Sequence, residues 1–266
     1  MTKPQKKNEP LEIEEVEEDK APLVEHLREL RARLTYSMIA FILAAGASYT
    51  LAPDIYQFLV APLAEAYEGE QNRRLIFTGL TEAFFSYVKL ALFAGFIISF
   101  PILAWNFYAF VAPGLYKNEK KVVLPFLLSA PVLFVAGMAM AYYFIFPLAW
   151  NFFLSFEMAA GEGALPIQLE ARVSEYLSLV MRLILAFGIA FQLPIIIMLL
   201  AYAGFATQKG LKAKRKYALI AIFVIAAIIT PPDVISQIGL AIPLLVLYEL
   251  SILACGMVEN KKEKNA

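Results

Sequence analysis

The sequence predicts an all-α integral membrane protein with six transmembrane helices. Of its 266 residues, 60% are hydrophobic and only 17% are charged, and its mean hydropathy is +0.65. Soluble domains, by comparison, are about 45–50% apolar and about 25% charged. The apolar runs are long and unbroken, and helices satisfy their backbone polar groups internally, as a lipid environment requires. Composition and run length together therefore favour a bundle of membrane-crossing helices.

A polar segment and an amphipathic helix precede the first apolar run. Residues 1–20 are polar and acidic, and we expect a disordered tail because no apolar core can form there. We expect no cleavable signal peptide, since the first apolar run is too long for one. In residues 23–34, leucines recur at helical spacing, at Leu23, Leu27, Leu30 and Leu34. This spacing is typical of an amphipathic helix that lies on a membrane face.

Six apolar segments follow the amphipathic helix. We expect the spans at residues 34–51, 82–111, 122–146, 173–203, 217–229 and 234–255. A short interfacial helix at residues 55–67 is expected between the first two spans, because tyrosines flank its apolar positions. The six-helix transmembrane domain would then occupy residues 21–256, and a basic cytoplasmic tail would occupy residues 257–266.

The last two spans are expected to be short. Residues 217–229 make roughly 20 Å of helix, and the charge-free part of the last span, 238–248, makes roughly 17 Å. A bilayer core is about 30 Å thick. A sharp turn at Thr230-Pro231-Pro232-Asp233 joins the two spans. We therefore expect a concave face on the side of this hairpin, beside a thinned bilayer or a water-filled recess.

The distribution of charge orients the predicted spans, although the net charge is zero. Lysine and arginine are concentrated in the N-terminal segment and in residues 112–121, 204–216 and 256–266. The alternate connections, residues 52–81, 147–172 and 230–233, contain few of them. Because cytoplasmic loops carry the excess of positive charge, the sequence predicts that both termini are cytoplasmic.

The sequence lacks the residues that most enzymes need. It contains one histidine and one cysteine, which exclude an imidazole cluster and a thiolate cage for a metal. No P-loop motif occurs, so ATP hydrolysis is not expected. We therefore predict that the chain is not an enzyme, that it holds no cofactor and that it does not bind nucleic acid. Energy for any transport would come from partners or from the membrane potential.

Two classes of function are then in contention. One is a receptor and docking scaffold for a protein translocase, and the other is a secondary transporter of a small solute. Transporters often contain internal repeats and polar groups near the membrane midplane. Residues 34–146 and 173–255 show no repeat, and Gln192 is the only clear polar residue expected near the midplane.

Four motifs occur in order between the expected spans. They are His26-Leu27-x-Glu29-Leu30-Arg31-x-Arg33, Phe110-Val-Ala-Pro113-Gly-Leu115-Tyr116-Lys117-x-Glu119, Phe187-Gly188 through Phe191-x-x-Pro194, and Thr230-Pro231-Pro232-Asp233-x-x-Ser236-Gln237. Across roughly residues 22–255 the chain resembles the TatC family, the multispanning receptor of the twin-arginine protein translocase. The resemblance implies a prokaryotic inner-membrane protein that binds twin-arginine signal peptides of folded cargo. It also implies partners of the TatA and TatB type and export driven by the proton-motive force.

The resemblance assigns roles to residues that have simpler local explanations. It makes Glu29 and Glu119 the carboxylates that receive the signal's arginines. Glu29 could instead pair with Arg33, one turn along its helix, and Glu119 with neighbouring lysines of the polar turn at residues 112–121. The rest of that signal-peptide site comprises His26, Arg31, Phe110, Pro113, Leu115 and Tyr116. A second set, with structural or partner-contact roles, comprises Gln192, Pro231, Asp233 and Gln237. Asp233 could equally cap the last helix, and Gln192 departs from the acid often found there in the family.

Size argues that the chain acts with other chains. Six helices, each roughly 10 Å across, cannot enclose a hole for a folded domain. A compact domain of about 100 residues already has a radius of gyration of about 13 Å. If the cargo is folded, we expect the chain to assemble into an oligomer with other subunits.

Overall fold

The computed structural model describes residues 12–67, 73–111, 117–158, 165, 167–230 and 234–265. Their helices are α1 Glu12–Thr50, α2 Ala52–Ala66, α3 Glu82–Val111, α4 Lys117–Met140, α5 Phe146–Leu154, α6 Val173–Ala190, α7 Leu193–Tyr202, α8 Gln208–Ala213, α9 Arg215–Ile229 and α10 Val234–Asn265. Strand-like pairing in these ranges is limited to two isolated β-bridges, one between Ile76 and Arg172 and one between Met158 and Ile167. The all-helical class predicted from composition is therefore confirmed.

Helix α1 is one continuous helix, where the sequence analysis expected three separate segments. Residues 12–20 belong to this helix, whereas residues 1–11 lie outside the described part, so the disordered tail expected at residues 1–20 stays a prediction. The predicted amphipathic helix runs directly into the first span, because neither proline nor glycine interrupts the chain between Val24 and Ala45. Glutamate and lysine, which dominate residues 12–20, are good helix formers and can extend such a helix.

The third span continues further than the sequence predicted. Helix α4 leads through a π-helical turn, Ala141–Ile145, into α5, so the helical segment ends at Leu154 rather than at Phe146. Pro147 lies at the start of α5 and cannot donate a backbone hydrogen bond, and the chain accommodates it with a wider turn in which the Phe146 N–H bonds to the Ala141 carbonyl.

The fourth span is broken in the middle. Helix α6 ends at Ala190, and α7 begins at Leu193 with Pro194 in its first turn. Proline has no backbone N–H to donate to the carbonyl one turn earlier. The regular helix is therefore interrupted at Phe191 and Gln192 and begins again at Leu193. The two helices together cover the predicted span at residues 173–203.

Five helical segments in the described part are long and apolar enough to cross a membrane. They are Val24–Thr50, Glu82–Phe110, Leu128–Leu154, Val173–Tyr202 and Ser236–Glu259. Helix α9 lies where the fifth of six spans was predicted, but its 15 residues make only roughly 22 Å of helix. The short α9 agrees with the sequence analysis.

The expectation that the last helix is also short is wrong. Helix α10 contains 32 residues and continues through Glu249. The carboxylate of Glu249 is half exposed and accepts a 2.6 Å hydrogen bond from Arg215 of α9, so this acid does not end the apolar helix. Within α9, only Ile222 and Ala226 are buried, and most of its other apolar side chains are exposed.

The core forms where α3, α6 and α10 meet the π-helical turn. Its fully buried side chains include Leu90, Phe146, Val180, Phe187, Leu240 and Ile252. Helices pack closely at small residues, as is usual in membrane proteins. A Cβ at Gly95 of α3 would lie 2.6 Å from the Cα of Ala45 in α1, and a Cβ at Gly137 of α4 would lie 2.5 Å from the Phe187 carbonyl oxygen in α6. These two contacts position α1 and α4.

Two connections at one end of the bundle pack together into a cap, defined by residues 73–81, 155–158 and 167–173. The Ile76 N–H bonds to the Ala171 carbonyl, and the Val173 N–H bonds to the Ile76 carbonyl. The Glu82 carboxylate, largely buried, accepts hydrogen bonds from the Thr78 and Gly79 N–H groups and from the Ser174 hydroxyl at 2.6 Å. These bonds join the N-terminal ends of α3 and α6 on the cap side.

Candidate functional site

The first motif lies on α1, at the end of the bundle away from the cap. Both Nε and Nη2 of Arg33 donate to Oε1 of Glu29, at 3.0 and 2.6 Å. The two residues are one turn apart on the helix, so the simple ion pair predicted from their spacing is present. It engages only one of the two carboxylate oxygens. On the other side of the carboxylate, Nδ1 of the His26 ring lies 3.9 Å from Oε2 of Glu29.

His26 joins the first motif to the second. Its ring stacks on the Phe110 ring with centroids 4.3 Å apart and planes inclined by 16°. Phe110 is in the last turn of α3, so this contact places the end of α3 beside the Glu29 turn of α1. Stacked rings of this kind stabilise a contact by about 0.5–1.5 kcal/mol beyond the area they bury. Sequence motifs that are far apart in the chain are thus adjacent in the fold.

The rest of the second motif is only partly described. Pro113, Leu115 and Tyr116 lie outside the described residues, so the expectation for them stays a prediction. Glu119 is in the first turn of α4, two residues after its start at Lys117. Its place in the chain puts it at the same end of the bundle as Phe110, and its predicted role stays a prediction. Arg31 is exposed on α1, and its carbonyl accepts a hydrogen bond from the Thr35 hydroxyl.

An apolar groove extends from this charged turn along the seam between α1 and α3, with a volume of about 460 Å³. Arg33 and Phe110 lie at its charged end, and its walls are mostly apolar. Those apolar walls are Leu30, Leu34, Met38, Phe41, Phe96, Leu103 and Phe107. The sequence analysis did not identify this groove, although the leucine spacing in residues 23–34 indicated an apolar stripe that α1 would present to something.

The second set of predicted residues has structural contacts. The Gln192 amide donates to the Ala130 carbonyl at 3.1 Å, so it bridges α4 and the break between α6 and α7. The Gln237 amide donates to the Phe223 carbonyl at 3.2 Å and ties α10 to α9. The Thr230 hydroxyl bonds back to the Ala226 carbonyl at the end of α9. Pro231 and Asp233 lie outside the described residues, so neither the cap nor the partner contact expected for Asp233 is tested.

A metal centre does not form in the part of the chain that the structure describes, where no group of three or more His, Cys, Asp or Glu side chains could hold an ion. The charged turn of α1 and the groove beside it can instead bind an extended chain. A carboxylate oxygen with unused capacity suits a guanidinium, and an apolar groove suits aliphatic side chains.

Comparison with known proteins identifies the family. The family model for the Sec-independent protein translocase protein TatC matches residues 25–243, which is most of the chain. The chain belongs to the TatC family. The resemblance predicted from the four motifs is therefore confirmed.

Individual TatC proteins are similar over almost their whole length. The TatC of Rickettsia prowazekii is 49% identical over 241 residues, which cover 91% of this chain and 95% of that protein. The TatC of Magnetococcus marinus is 47% identical over 245 residues, 92% of this chain and 88% of that protein. A crystal structure of the twin-arginine translocase receptor TatC has a TM-score of 0.73 and 40% identity, and covers 86% of this chain and 97% of that one.

Membership of the TatC family assigns the general role. The chain is a core subunit of the twin-arginine translocase, a bacterial inner-membrane protein, and not an enzyme. The translocase reading is thus favoured over the secondary transporter that the sequence analysis left as its alternative.

Proposed function

We propose that this TatC-family chain is the receptor for twin-arginine signal peptides and that its binding site is the turn containing His26 and Glu29 together with the end of α3 and the start of α4. The observation that carries the proposal is the stacking of His26 on Phe110 at 4.3 Å, which brings two of the four motifs to one place. Glu119 is at the beginning of the next helix, on the same end of the bundle.

The geometry of Glu29 suits an incoming arginine. Arg33 uses Oε1 alone, so Oε2 can accept a hydrogen bond from the peptide without loss of the existing pair. Glu119 would receive the second arginine. A guanidinium fork binds a carboxylate through two parallel hydrogen bonds, which a lysine ammonium cannot form, and this difference would select Arg-Arg over Lys-Lys. The basic neighbours Arg28 and Arg31 would repel a peptide that does not satisfy both acids.

The groove between α1 and α3 would receive the apolar segment that follows the arginines. Signal peptides carry an apolar region of about 7–15 residues. The groove begins at Arg33 and Phe110, beside the proposed arginine site, and continues towards Phe96, which is about four turns deeper along α3. One bound peptide could therefore contact the acids with its arginines and the groove with its apolar residues.

The remaining parts of the proposal concern the assembly. We infer six spans, with α9 as a short fifth, and both termini in the cytoplasm, because lysine and arginine are concentrated in the connections on the Glu29 side. The partners would be single-span proteins of the TatA and TatB type. The exposed apolar face of α9 would form part of a concave docking face for them, to which Gln237 and Asp233 would belong. Export would draw on the proton-motive force.

Binding of a labelled signal peptide to the purified chain tests the receptor site. We expect Glu29→Ala and Glu119→Ala each to weaken binding of an Arg-Arg peptide at least roughly tenfold, because each removes a charge-assisted contact of about 1.5–3 kcal/mol. Glu29→Gln should be nearly as damaging, since it keeps the shape and loses the charge. These differences should shrink at high salt, because the site faces solvent.

The matched control is Glu25→Ala, one turn earlier on the same helix, where an exposed glutamate is removed without touching the site. It should bind like the parent. An Arg-Arg peptide that binds both alanine variants as tightly as the parent would contradict the site. Equal affinity for Arg-Arg and Lys-Lys peptides would contradict the receptor function and return the secondary transporter to consideration.

A further inference from the structure

Two cationic side chains lie within the membrane-spanning helices on the cap side, and the receptor site does not use them. Lys89 is in the candidate span Glu82–Phe110, and Arg182 is in the candidate span Val173–Tyr202. Both are exposed, and within the described residues neither forms an ion pair or hydrogen bond. A charged side chain at membrane depth is costly unless a counter-charge or water satisfies it, so such residues usually mark a binding site.

The depth of the two cations follows from the bonds beneath the cap. The Ser174 hydroxyl donates to the Glu82 carboxylate at 2.6 Å, which fixes the starts of α3 and α6 side by side. Lys89 is two turns further along α3, roughly 10 Å, and Arg182 is just over two turns along α6, roughly 12 Å from Ser174. The two cations therefore lie at similar depth on neighbouring helices.

They share one open cavity of about 350 Å³. Its lining residues are Lys89, Ser174, Glu175, Ser178, Leu179 and Arg182. The carboxylate of Glu175 is bound by Arg172 at 3.0 Å, so it is not the partner of either cation. In the described structure, Ser178 makes no hydrogen bond, and its hydroxyl can donate to a ligand. Two cations against one paired acid leave the cavity with a net positive charge.

We propose that this cavity binds the phosphate group of a phospholipid from the leaflet on the cap side. A phosphodiester carries one negative charge and several acceptor oxygens, which match an ammonium, a guanidinium and a serine hydroxyl. Lysine and arginine extend their charged ends toward the headgroup level when their helices cross a membrane.

A lipid is a better occupant than a free anion because exposed apolar surface lies beside the two cations. Next to the cations, Leu179 lines the cavity, and Phe85, an exposed residue one turn before Lys89, faces outward from the same helix end. Acyl chains can pack on such apolar surface while the phosphate binds the cations. Inorganic phosphate would bind the cations but has no acyl chains to pack on this apolar surface.

Native mass spectrometry of the purified full-length chain tests the proposal by titration with phosphatidylglycerol. We expect the parent to retain at least one tightly bound phosphatidylglycerol, and the double variant K89Q/R182Q to bind it at least roughly fivefold more weakly. Diacylglycerol, with the same tails and no phosphate, should bind both proteins equally. Inorganic phosphate in excess should not displace the lipid from the parent. Both substitutions are at exposed positions, and a thermal unfolding scan of each protein checks that the fold is unchanged.

The matched control is K209Q/K214Q, which removes two exposed lysines from the opposite end of the bundle. It should retain the lipid of the parent. Equal phosphatidylglycerol affinity in the parent and K89Q/R182Q would overturn the proposal, and would leave a carboxylate of a partner helix as the counter-charge to look for. Displacement of the lipid by inorganic phosphate would overturn the lipid assignment. Because the signal-peptide site is at the other end, peptide binding to K89Q/R182Q should be unchanged.

Discussion

The guanidinium of Arg73 binds the carboxylate of Glu157 through two hydrogen bonds, Nη1 to Oε1 at 2.6 Å and Nη2 to Oε2 at 2.5 Å. Both side chains are mostly buried, at 13% and 17% exposure. The Leu169 N–H adds a 2.7 Å bond to the same carboxylate, and the Arg73 guanidinium lies over the Tyr67 ring at 4.9 Å. This pair therefore ties together the two connections that form the cap.

The first prediction concerns the cap at acidic pH. The hydrogen bonds from Arg73, with that from the Leu169 N–H, lower the pKa of Glu157 below its usual range. A lowered carboxyl pKa stabilises the folded state above the unfolded pKa of about 4.3, and the contribution is lost as pH falls through the folded pKa. Stability of the cap should thus be constant near neutrality and fall only in strong acid. Limited proteolysis of the cap between pH 7 and pH 3 measures this.

Glu157→Gln should reduce that pH dependence and destabilise the cap by about 1.5–3 kcal/mol at neutral pH, because the charged pair is lost. Arg74→Gln is the control, since Arg74 is 73% exposed and lies 3.9 Å from Glu170. An exposed pair of this kind contributes about 0–1 kcal/mol. Equal protease sensitivity of the two variants would show that the buried pair does not hold the cap.

The second prediction is energetic coupling between His26 and Phe110. A double-mutant cycle with His26→Ala and Phe110→Leu should give a coupling of about 0.5–1.5 kcal/mol in thermal unfolding, because the stacked ring contact exists only when both residues are present. The same cycle measured by signal-peptide affinity should also show coupling if the contact positions the receptor site. Strict additivity in both measurements would show that the contact positions neither helix.

The third prediction concerns the close approach of α1 and α3. Gly95→Ala places a methyl group 2.6 Å from the backbone of Ala45, which forces the helices apart. We expect a loss of about 1–3 kcal/mol, as for other overpacked contacts. Gly46→Ala is the matched control, because a Cβ there meets nothing within 4 Å. It should be neutral or slightly stabilising, since alanine favours helix more than glycine does.

Thermal unfolding of both glycine variants in detergent decides this prediction. Peptide binding to Gly95→Ala should also weaken, because the groove between α1 and α3 would change shape. A Gly95→Ala protein as stable as Gly46→Ala would contradict this prediction, because α1 and α3 could then move apart without loss of stability.

The fourth prediction concerns Gln192, whose amide bridges α4 and the break between α6 and α7. The amide donates to the Ala130 carbonyl, and a carboxylate cannot donate. Gln192→Glu should therefore destabilise the fold by about 1–3 kcal/mol, while Gln192→Met, which keeps the length and loses only the donor, should cost about 1 kcal/mol. Thermal unfolding compares the two. A Gln192→Met variant as stable as the parent would show that the bond to Ala130 contributes little.

Sequence patterns were sufficient for the class, the family and most helix positions. Composition and the length of the apolar runs determine that helices cross a membrane, because an unpaired backbone is not tolerated in lipid. Glu82 and Val173 begin helices in the structure, as the sequence indicated. That α9 is short was also predicted, from the length of its apolar run alone. The exact ends of α1, α5 and α10 could not be predicted. A helix continues past a charged residue whenever that residue reaches water or a partner, as Glu249 reaches Arg215.

The candidate site was predictable as a list of residues and not as an arrangement. Motif resemblance named His26, Glu29, Phe110 and Glu119, and helical spacing predicted the bond between Glu29 and Arg33. Neither could show that His26 stacks on Phe110 or that a groove opens beside them, because both depend on how α1 lies along α3.

By itself, then, the sequence determined an all-helical membrane protein of the TatC family and the residues from which its receptor site would be built. Only the tertiary structure decided which of these residues meet, and it added the pair of Arg73 and Glu157 and the cavity shared by Lys89 and Arg182. The physical reason is that periodicity and apolar length act along one helix, whereas contacts between helices depend on close packing at a few positions. The contact of Gly95 with Ala45 is such a position, and nothing in the sequence around Gly95 indicates that Ala45 packs against it.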